Sequence, residues 1–162
     1  MLCSSRGMQD EVIESELPPR SLVAIWLGAA GLLPPLLALG SRWLGQDGIN
    51  QPQVVLVYSS LILSFLGGSW WGIALLRSAG RWRSILLLLG IGASLSGFCI
   101  QGLASPALMR PLLIVLAVLI GTSWLVDRAL VADEMIGAWW GRLRLALSAG
   151  LSALTLAMAM LS

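Results

Sequence analysis

Most of the chain consists of long apolar stretches separated by short segments that carry Arg, Asp or Glu. About 20 apolar residues in a helix cross the hydrocarbon core of a bilayer, which is about 30 Å thick. Five stretches reach that length once arginines at their ends extend to the headgroups. The pattern therefore predicts membrane spans at about residues 21–41, 53–76, 84–103, 106–126 and 143–162.

In lipid, a spanning segment satisfies its backbone polar groups only as a helix or within a closed barrel. The apolar stretches lack the alternation of period two that is typical of barrel strands. The predicted fold class is therefore an all-α membrane protein, a bundle of five transmembrane helices over residues 21–162. Residues 1–20 carry four acidic side chains and lack the features of a secretory signal, so they are predicted to form an acidic cytoplasmic tail.

The positions of the arginines predict the orientation of this bundle. Five crossings place the N-terminal tail, residues 77–83 and residues 127–144 on one side, together with eight of the ten arginines. Only Arg42 and Arg110 fall on the other side. Because cytoplasmic loops are enriched in basic residues, the N-terminus is predicted inside and the C-terminus outside. The expected location is a bacterial inner membrane or, in a eukaryote, the mitochondrial inner membrane.

A short amphipathic segment precedes the last predicted span. From Asp133 to Arg144, apolar residues recur at helical spacing and include the neighbours Trp139 and Trp140, with charged residues between them. This pattern predicts a short helix lying in the membrane interface, with the two tryptophans as anchors. The segment either anchors the last span or docks a partner.

Small residues recur at every fourth position of the second span, at Ser60, Ser64, Gly68 and Gly72. This pattern lets membrane helices approach closely. At about 100° per residue, Gly67 and Trp71 share a face with Ser60 and Ser64. We expect these six residues to pack against neighbouring helices or a partner. Alternatively, the break at Gly67 and Gly68 shapes a pocket for a lipid, a quinone-like molecule or a partner helix.

The first span contains the adjacent prolines Pro34 and Pro35. Proline lacks a backbone donor and clashes with the preceding helical turn, so a kink is predicted just upstream of Pro34. Transporters contain such breaks, but ordinary packing produces them too and is the simpler interpretation.

Composition excludes several kinds of chemistry. Of the 162 residues, 57% are hydrophobic and 11% are charged, far from the balance of a soluble domain. The mean hydropathy is +0.88. The chain has no histidine and two distant cysteines, Cys3 and Cys99, which argues against a His-ligated haem, a typical zinc site or a Ser-His-Asp triad. The sequence therefore predicts no metal site, no cofactor and no catalytic residue.

The centres of the predicted spans contain no ionisable residue, although such residues usually mark function inside membranes. This argues against a proton-coupled pump or a transporter of charged solutes. Asp127, at the end of the fourth span, is the nearest exception. Because a carboxylate is unfavourable at a helix C-terminus, Asp127 is expected to form a structural ion pair, with Arg128 and Arg144 as candidate partners. The alternative is a catalytic or ligand-binding role.

The run from Leu61 to Leu75, LILSFLGGSWWGIAL, resembles the signature of the transmembrane protein 69 family, a bacterial and mitochondrial group without an assigned activity. Weaker similarities follow the same order: WLGAAGLLP from Trp26, LVDR from Leu125, and WWGRLR from Trp139. The resemblance covers about residues 21–162 and implies a small multi-pass inner-membrane protein. Trp70 stands where the family pattern has a histidine, so roles that depend on an imidazole are in doubt here.

These features favour a non-enzymatic protein that acts through helix contacts, as an accessory or assembly subunit of a larger membrane complex. The alternative is a carrier or binding protein for an apolar small molecule such as a lipid or a quinone. The expected partners are membrane lipids and another membrane protein, and no nucleic acid.

Overall fold

The computed structural model describes residues 19–46, 50–77, 80–132, 134 and 136–162. Within these ranges the chain forms the helices α1 (Pro19–Ala30), α2 (Leu33–Trp43), α3 (Gln51–Arg77), α4 (Arg81–Gly102), α5 (Met109–Ala132) and α6 (Ala138–Leu161). Except for Pro19 and Arg20, the predicted acidic tail lies outside the described residues.

Among the described residues, five stretches are long and apolar enough to cross a membrane. They are Leu22–Trp43, Gln51–Leu76, Trp82–Gly102, Met109–Ala132 and Ala138–Leu161. The all-helical fold with five candidate spans is therefore confirmed. The side of the membrane on which each terminus lies stays a prediction.

The chain divides into two compact units, residues 1–31 and 32–162. In the first, α1 ends where Gly31 N–H donates to the carbonyls of Leu27 and Gly28, at 3.1 and 3.0 Å. In the second, α2 begins with Pro34 and Pro35 in its first turn. Proline is tolerated there because the first N–H groups of a helix have no intrahelical partner. The helical run of the first predicted span is thus interrupted at residues 31–32, just upstream of Pro34.

The turn between α2 and α3 is specified by residues at both ends. Gly45 has φ +66°, its N–H donates to the Arg42 carbonyl at 3.2 Å, and the Gln46 N–H donates to the Ser41 carbonyl at 3.0 Å. This is a Schellman ending, in which glycine takes the left-handed position. At the start of α3, the Asn50 side chain accepts from the Gln53 N–H at 3.3 Å, as an N-cap residue does.

The last two helices differ from their predicted bounds. α5 continues past residue 126 to Ala132, and α6 begins at Ala138 and runs unbroken to Leu161. The prediction of a separate interfacial helix over 133–144 is therefore wrong for its described part, because Trp139 and Trp140 lie in the first turn of α6. Asp133 and Met135 lie outside the described residues. The prediction ended the fourth span before Asp127 and began the fifth after Arg142, whereas Asp127 and Arg144 form an ion pair and both lie inside helices.

Within the second unit, α3 is the central helix and packs against α2, α4, α5 and α6. The larger apolar cluster contains Leu56 and Leu63 of α3, Leu113 and Leu116 of α5, and Met158 of α6. A smaller cluster forms around Trp70, Ala74, Leu86 and Leu130. Trp70 therefore lies where α3 meets both α4 and α5.

Candidate functional site

Asp127 of α5 and Arg144 of α6 are the most buried charged residues in the described part of the chain, with 2% and 5% of their surfaces exposed. Arg144 Nε donates to Asp127 Oδ2 at 2.9 Å. A lone charge within a membrane costs several kcal/mol, but a hydrogen-bonded pair of opposite charges is neutral as a unit. The pair thus allows both residues to lie inside candidate spanning helices.

Helix α3 supplies the other contacts of this pair. Trp70 Nε1 donates to Asp127 Oδ1 at 2.9 Å, and Arg144 Nη1 donates to Ser69 Oγ. The Ser69 hydroxyl in turn donates to the Leu66 carbonyl at 2.6 Å. The Arg144 guanidinium carbon lies 6.0 Å from the centroid of the Trp70 ring. These contacts join α3, α5 and α6. We call the four residues that make them the buried polar cluster: Ser69, Trp70, Asp127 and Arg144.

The cluster leaves one donor without a partner. A guanidinium often gives two donors to the two oxygens of one carboxylate. Here Oδ1 accepts from Trp70 instead, and Nη2 of Arg144 is buried with no hydrogen-bond partner among the described residues. Each carboxylate oxygen of Asp127 thus accepts one hydrogen bond from the described part of the chain.

Beyond the buried polar cluster, α6 contacts its neighbours through small side chains that carry hydroxyl groups. Ser148 lies 3.5 Å from the Ser123 hydroxyl of α5, and Ser152 donates to the Ala117 carbonyl at 2.7 Å. Further along, the Thr155 and Ser59 hydroxyls are 2.9 Å apart. These contacts bind α6 to α5 and α3 at successive levels. Within the described ranges, no group of three or more His, Cys, Asp or Glu residues could hold a metal ion.

Arg128 does not join the ion pair. Its side chain is exposed, and its guanidinium lies 5.6 Å from the centroid of the Trp124 ring. Successive residues of a helix point about 100° apart, so Asp127 and Arg128 face different surroundings. The prediction that named Arg128 beside Arg144 as a partner of Asp127 is corrected accordingly.

The predicted small-residue face of α3 packs against α4. A Cβ added at Gly67 would lie 2.6 Å from the Gly90 carbonyl oxygen, and one added at Gly97 would lie 3.1 Å from the Ser60 carbonyl oxygen and 3.4 Å from Ser64 Oγ. Trp71 Nε1 donates to the Leu87 carbonyl at 2.9 Å across the same interface. The structure therefore brings Ser60, Ser64, Gly67 and Trp71 together at the α3–α4 contact.

Gly68 and Gly72 do not take part in this contact. Both are exposed, and a Cβ added at either position meets nothing within 4 Å. A spacing of four residues advances about 40° around a helix at each step, so positions 68 and 72 rotate away from the face of Ser60. Their predicted packing role within the chain is wrong.

An open groove runs along the outer side of the α3–α4 contact. It has a volume of about 260 Å³ and is lined by Gly68, Trp71, Gly90, Ile91, Ser94 and Leu95. Small residues form its floor, and larger side chains flank it. We call this surface the α3–α4 groove.

The two tryptophans predicted as interface anchors lie at the start of α6. Their rings pack edge to face, with centroids 5.7 Å apart and planes at 76°. Trp139 is 51% exposed. An exposed indole near the end of a candidate span is compatible with an interfacial position.

Sequence reasoning missed Ser69 and Trp70 as members of the polar cluster. The two residues precede Asp127 by more than fifty positions, and their partners depend on how three helices pack. One signal was available, because the indole N–H of a buried tryptophan usually needs an acceptor and acidic residues are rare near these spans.

A helical bundle with five candidate spans, tight glycine contacts and a neutralised internal ion pair defines a multi-pass α-helical membrane protein. Residues 21–161 match the family described as "Protein of unknown function (DUF3429)", and the chain belongs to this family. No curated protein and no solved structure matches the chain significantly. The link to the transmembrane protein 69 family stays a prediction.

Proposed function

We propose that this protein is a non-enzymatic accessory or assembly subunit of a larger membrane complex in a bacterial inner membrane, or in the mitochondrial inner membrane of a eukaryote. In this proposal, a transmembrane helix of the partner occupies the α3–α4 groove. The supporting observation is the exposed small-residue floor of that groove.

Glycine in a helix interior is unfavourable by about 1 kcal/mol relative to alanine. Gly67 and Gly90 have an evident packing reason, because their backbones touch. Gly68 has no such contact among the described residues. Small residues at a membrane surface let a second helix approach closely and gain dispersion contacts. A partner helix therefore gives Gly68 a role that the isolated chain does not.

The buried polar cluster supports a role without catalysis. Both oxygens of Asp127 accept hydrogen bonds from this chain, and the Arg144 guanidinium donates to Asp127 and Ser69. The cluster therefore serves better to hold α3, α5 and α6 in register than to act on a substrate.

The experiment is purification of the tagged protein in a mild detergent from its native membrane, with the composition determined by mass spectrometry. The wild-type protein is expected to co-purify with a defined membrane complex at fixed stoichiometry. Gly68→Leu should lose that complex while the protein stays folded, because a Cβ at position 68 meets no described atom within 4 Å and the larger side chain would occupy the open groove. Gly92→Leu is the matched control, since Gly92 is also exposed and helical but does not line the groove.

Retention of the complex by Gly68→Leu would refute the assignment of the groove as the docking surface. A homogeneous small particle that carries bound quinone or lipid, and no partner protein, would favour the carrier alternative. A symmetric assembly of this chain alone would also contradict the proposal of a larger complex.

A further inference from the structure

A second groove lies between α5 and α6, apart from the α3–α4 groove. It has a volume of about 320 Å³ and combines two arginines with apolar side chains. Val131, Gly141 and Leu145 contribute to its apolar part, and Trp124, Arg128 and Arg142 carry its polar groups. The two helices are close here, because a Cβ added at Gly141 would lie 2.6 Å from a methyl group of Val131.

The two arginines occupy equivalent levels of the helical hairpin. Arg128 lies four residues before the end of α5 at Ala132, and Arg142 lies four residues after the start of α6 at Ala138. At 1.5 Å per residue, each is about 6 Å from the same end of the bundle. An arginine this close to the end of a spanning helix can extend its guanidinium toward the headgroups.

Neither arginine is used by the internal ion pair. Both side chains are exposed, and Arg128 lies over the Trp124 ring, which limits its freedom. Among the described residues that line the groove there are two guanidinium groups and no carboxylate. The groove therefore has a positive rim above an apolar wall, and its charge is not compensated by the side chains that form it.

We propose that the α5–α6 groove binds an anionic phospholipid. The phosphate lies between Arg128 and Arg142, and an acyl chain follows the wall formed by Val131, Gly141 and Leu145. Guanidinium groups bind phosphate through charge-assisted hydrogen bonds. A free phosphate would leave the apolar wall unused, and a neutral quinone would leave two cations uncompensated, so a lipid that carries both groups fits best. This site is independent of the proposed function.

The experiment is native mass spectrometry of the detergent-purified protein after titration with dioleoyl phosphatidylglycerol. Dioleoyl phosphatidylcholine, which has the same acyl chains, and glycerol 3-phosphate, which has none, serve as parallel probes. The double variant Arg128→Gln/Arg142→Gln should lose about tenfold or more in apparent affinity for phosphatidylglycerol, because each basic side chain near an anionic lipid contributes severalfold. Arg83→Gln, an exposed arginine of α4 outside the groove, should bind like the wild type.

Equal binding of phosphatidylglycerol by wild type and double variant would overturn the proposal. Equal binding of phosphatidylcholine would show that the anionic headgroup is not recognised, and tight binding of glycerol 3-phosphate would identify a phosphate site instead. The double variant Arg128→Lys/Arg142→Lys keeps both positive charges, so it distinguishes the loss of charge from misfolding. Its binding should stay within a few-fold of wild type, and a loss as large as in the glutamine variant, in a folded protein, would contradict electrostatic recognition.

Discussion

At the scale of single residues, the buried polar cluster shows how a membrane bundle accommodates a carboxylate and a guanidinium. Asp127 accepts one hydrogen bond from α6 and one from α3, and it lies in a helix whose other buried residues are apolar except for Ser123. Removing one partner of a buried ion pair leaves an uncompensated charge, which costs more than losing the pair as a whole. The cluster should therefore respond differently to single and double substitutions.

Asp127→Asn and Arg144→Met are each expected to reduce the free energy of unfolding by about 3–5 kcal/mol. The double variant Asp127→Asn/Arg144→Met should be less destabilised than the sum of these two single changes, because no charge remains unpaired. The measurement is reversible unfolding in mixed detergent micelles, analysed as a double-mutant cycle.

Arg128→Gln is the control for this cycle, since Arg128 follows Asp127 directly but is exposed. It should change the stability by less than about 0.5 kcal/mol. Strict additivity of the Asp127 and Arg144 substitutions would show that the two side chains are not coupled.

The sequence alone could place Asp127 and Arg144 near one end of the bundle, because both lie close to the ends of apolar stretches. It could not choose between Arg144 and Arg128, since that choice depends on the rotation of α5 and α6 about their axes. The positions of Trp70 and Ser69 in the cluster depend in addition on the packing of a third helix, α3, and the need of a buried indole N–H for an acceptor was the one signal for them in the sequence.

At the scale of helices, the rotation of α3 about its own axis determines which of its glycines packs against another helix. Gly67 touches Gly90, whereas a Cβ added at its neighbour Gly68 meets no atom of the described residues within 4 Å. The small residues at every fourth position predicted that Gly68 packs against another helix. The helical period of 3.6 residues instead places Gly67 on the face that packs against α4. The number of candidate spans could be predicted because apolar length determines it, but the exact packing face could not.

Gly67→Ala is expected to destabilise the protein by about 1–3 kcal/mol, as overpacking of a tight contact does. The added methyl group would lie 2.6 Å from a backbone oxygen of α4, so the two helices must move apart. Gly68→Ala is the control and should be neutral or slightly stabilising, because alanine favours the helix and meets open space. Unfolding in detergent measures both variants, and equal stabilities would contradict the close α3–α4 contact.

At the scale of the whole molecule, the second unit separates its arginines between two ends. Arg42 donates to the Leu161 carbonyl from Nε at 3.3 Å and from Nη2 at 2.9 Å, which satisfies a carbonyl in the last turn of α6. Arg110 approaches the Met160 sulfur at 3.9 Å near the same end. Arg128, Arg142 and Arg144 lie near the opposite end of the α5–α6 pair. Arg42 and Arg110, the two arginines predicted on the side opposite to the other eight, thus lie together near the C-terminus of α6. Positive charge is favourable there because of the helix dipole.

This distribution of arginines predicts the orientation of the protein in the membrane, which reporter fusions can test. A C-terminal alkaline phosphatase fusion should be active and a C-terminal fluorescent protein dark, because the end with fewer arginines is expected outside. A reporter inserted after Gly80, between α3 and α4, should give the opposite result, since three candidate spans, in α4, α5 and α6, separate the two positions. If the C-terminal fusion fluoresces and the Gly80 insertion is exported, the orientation is reversed. The arginines of the α5–α6 groove would then face the outer leaflet, and any phospholipid bound there would have to come from that leaflet.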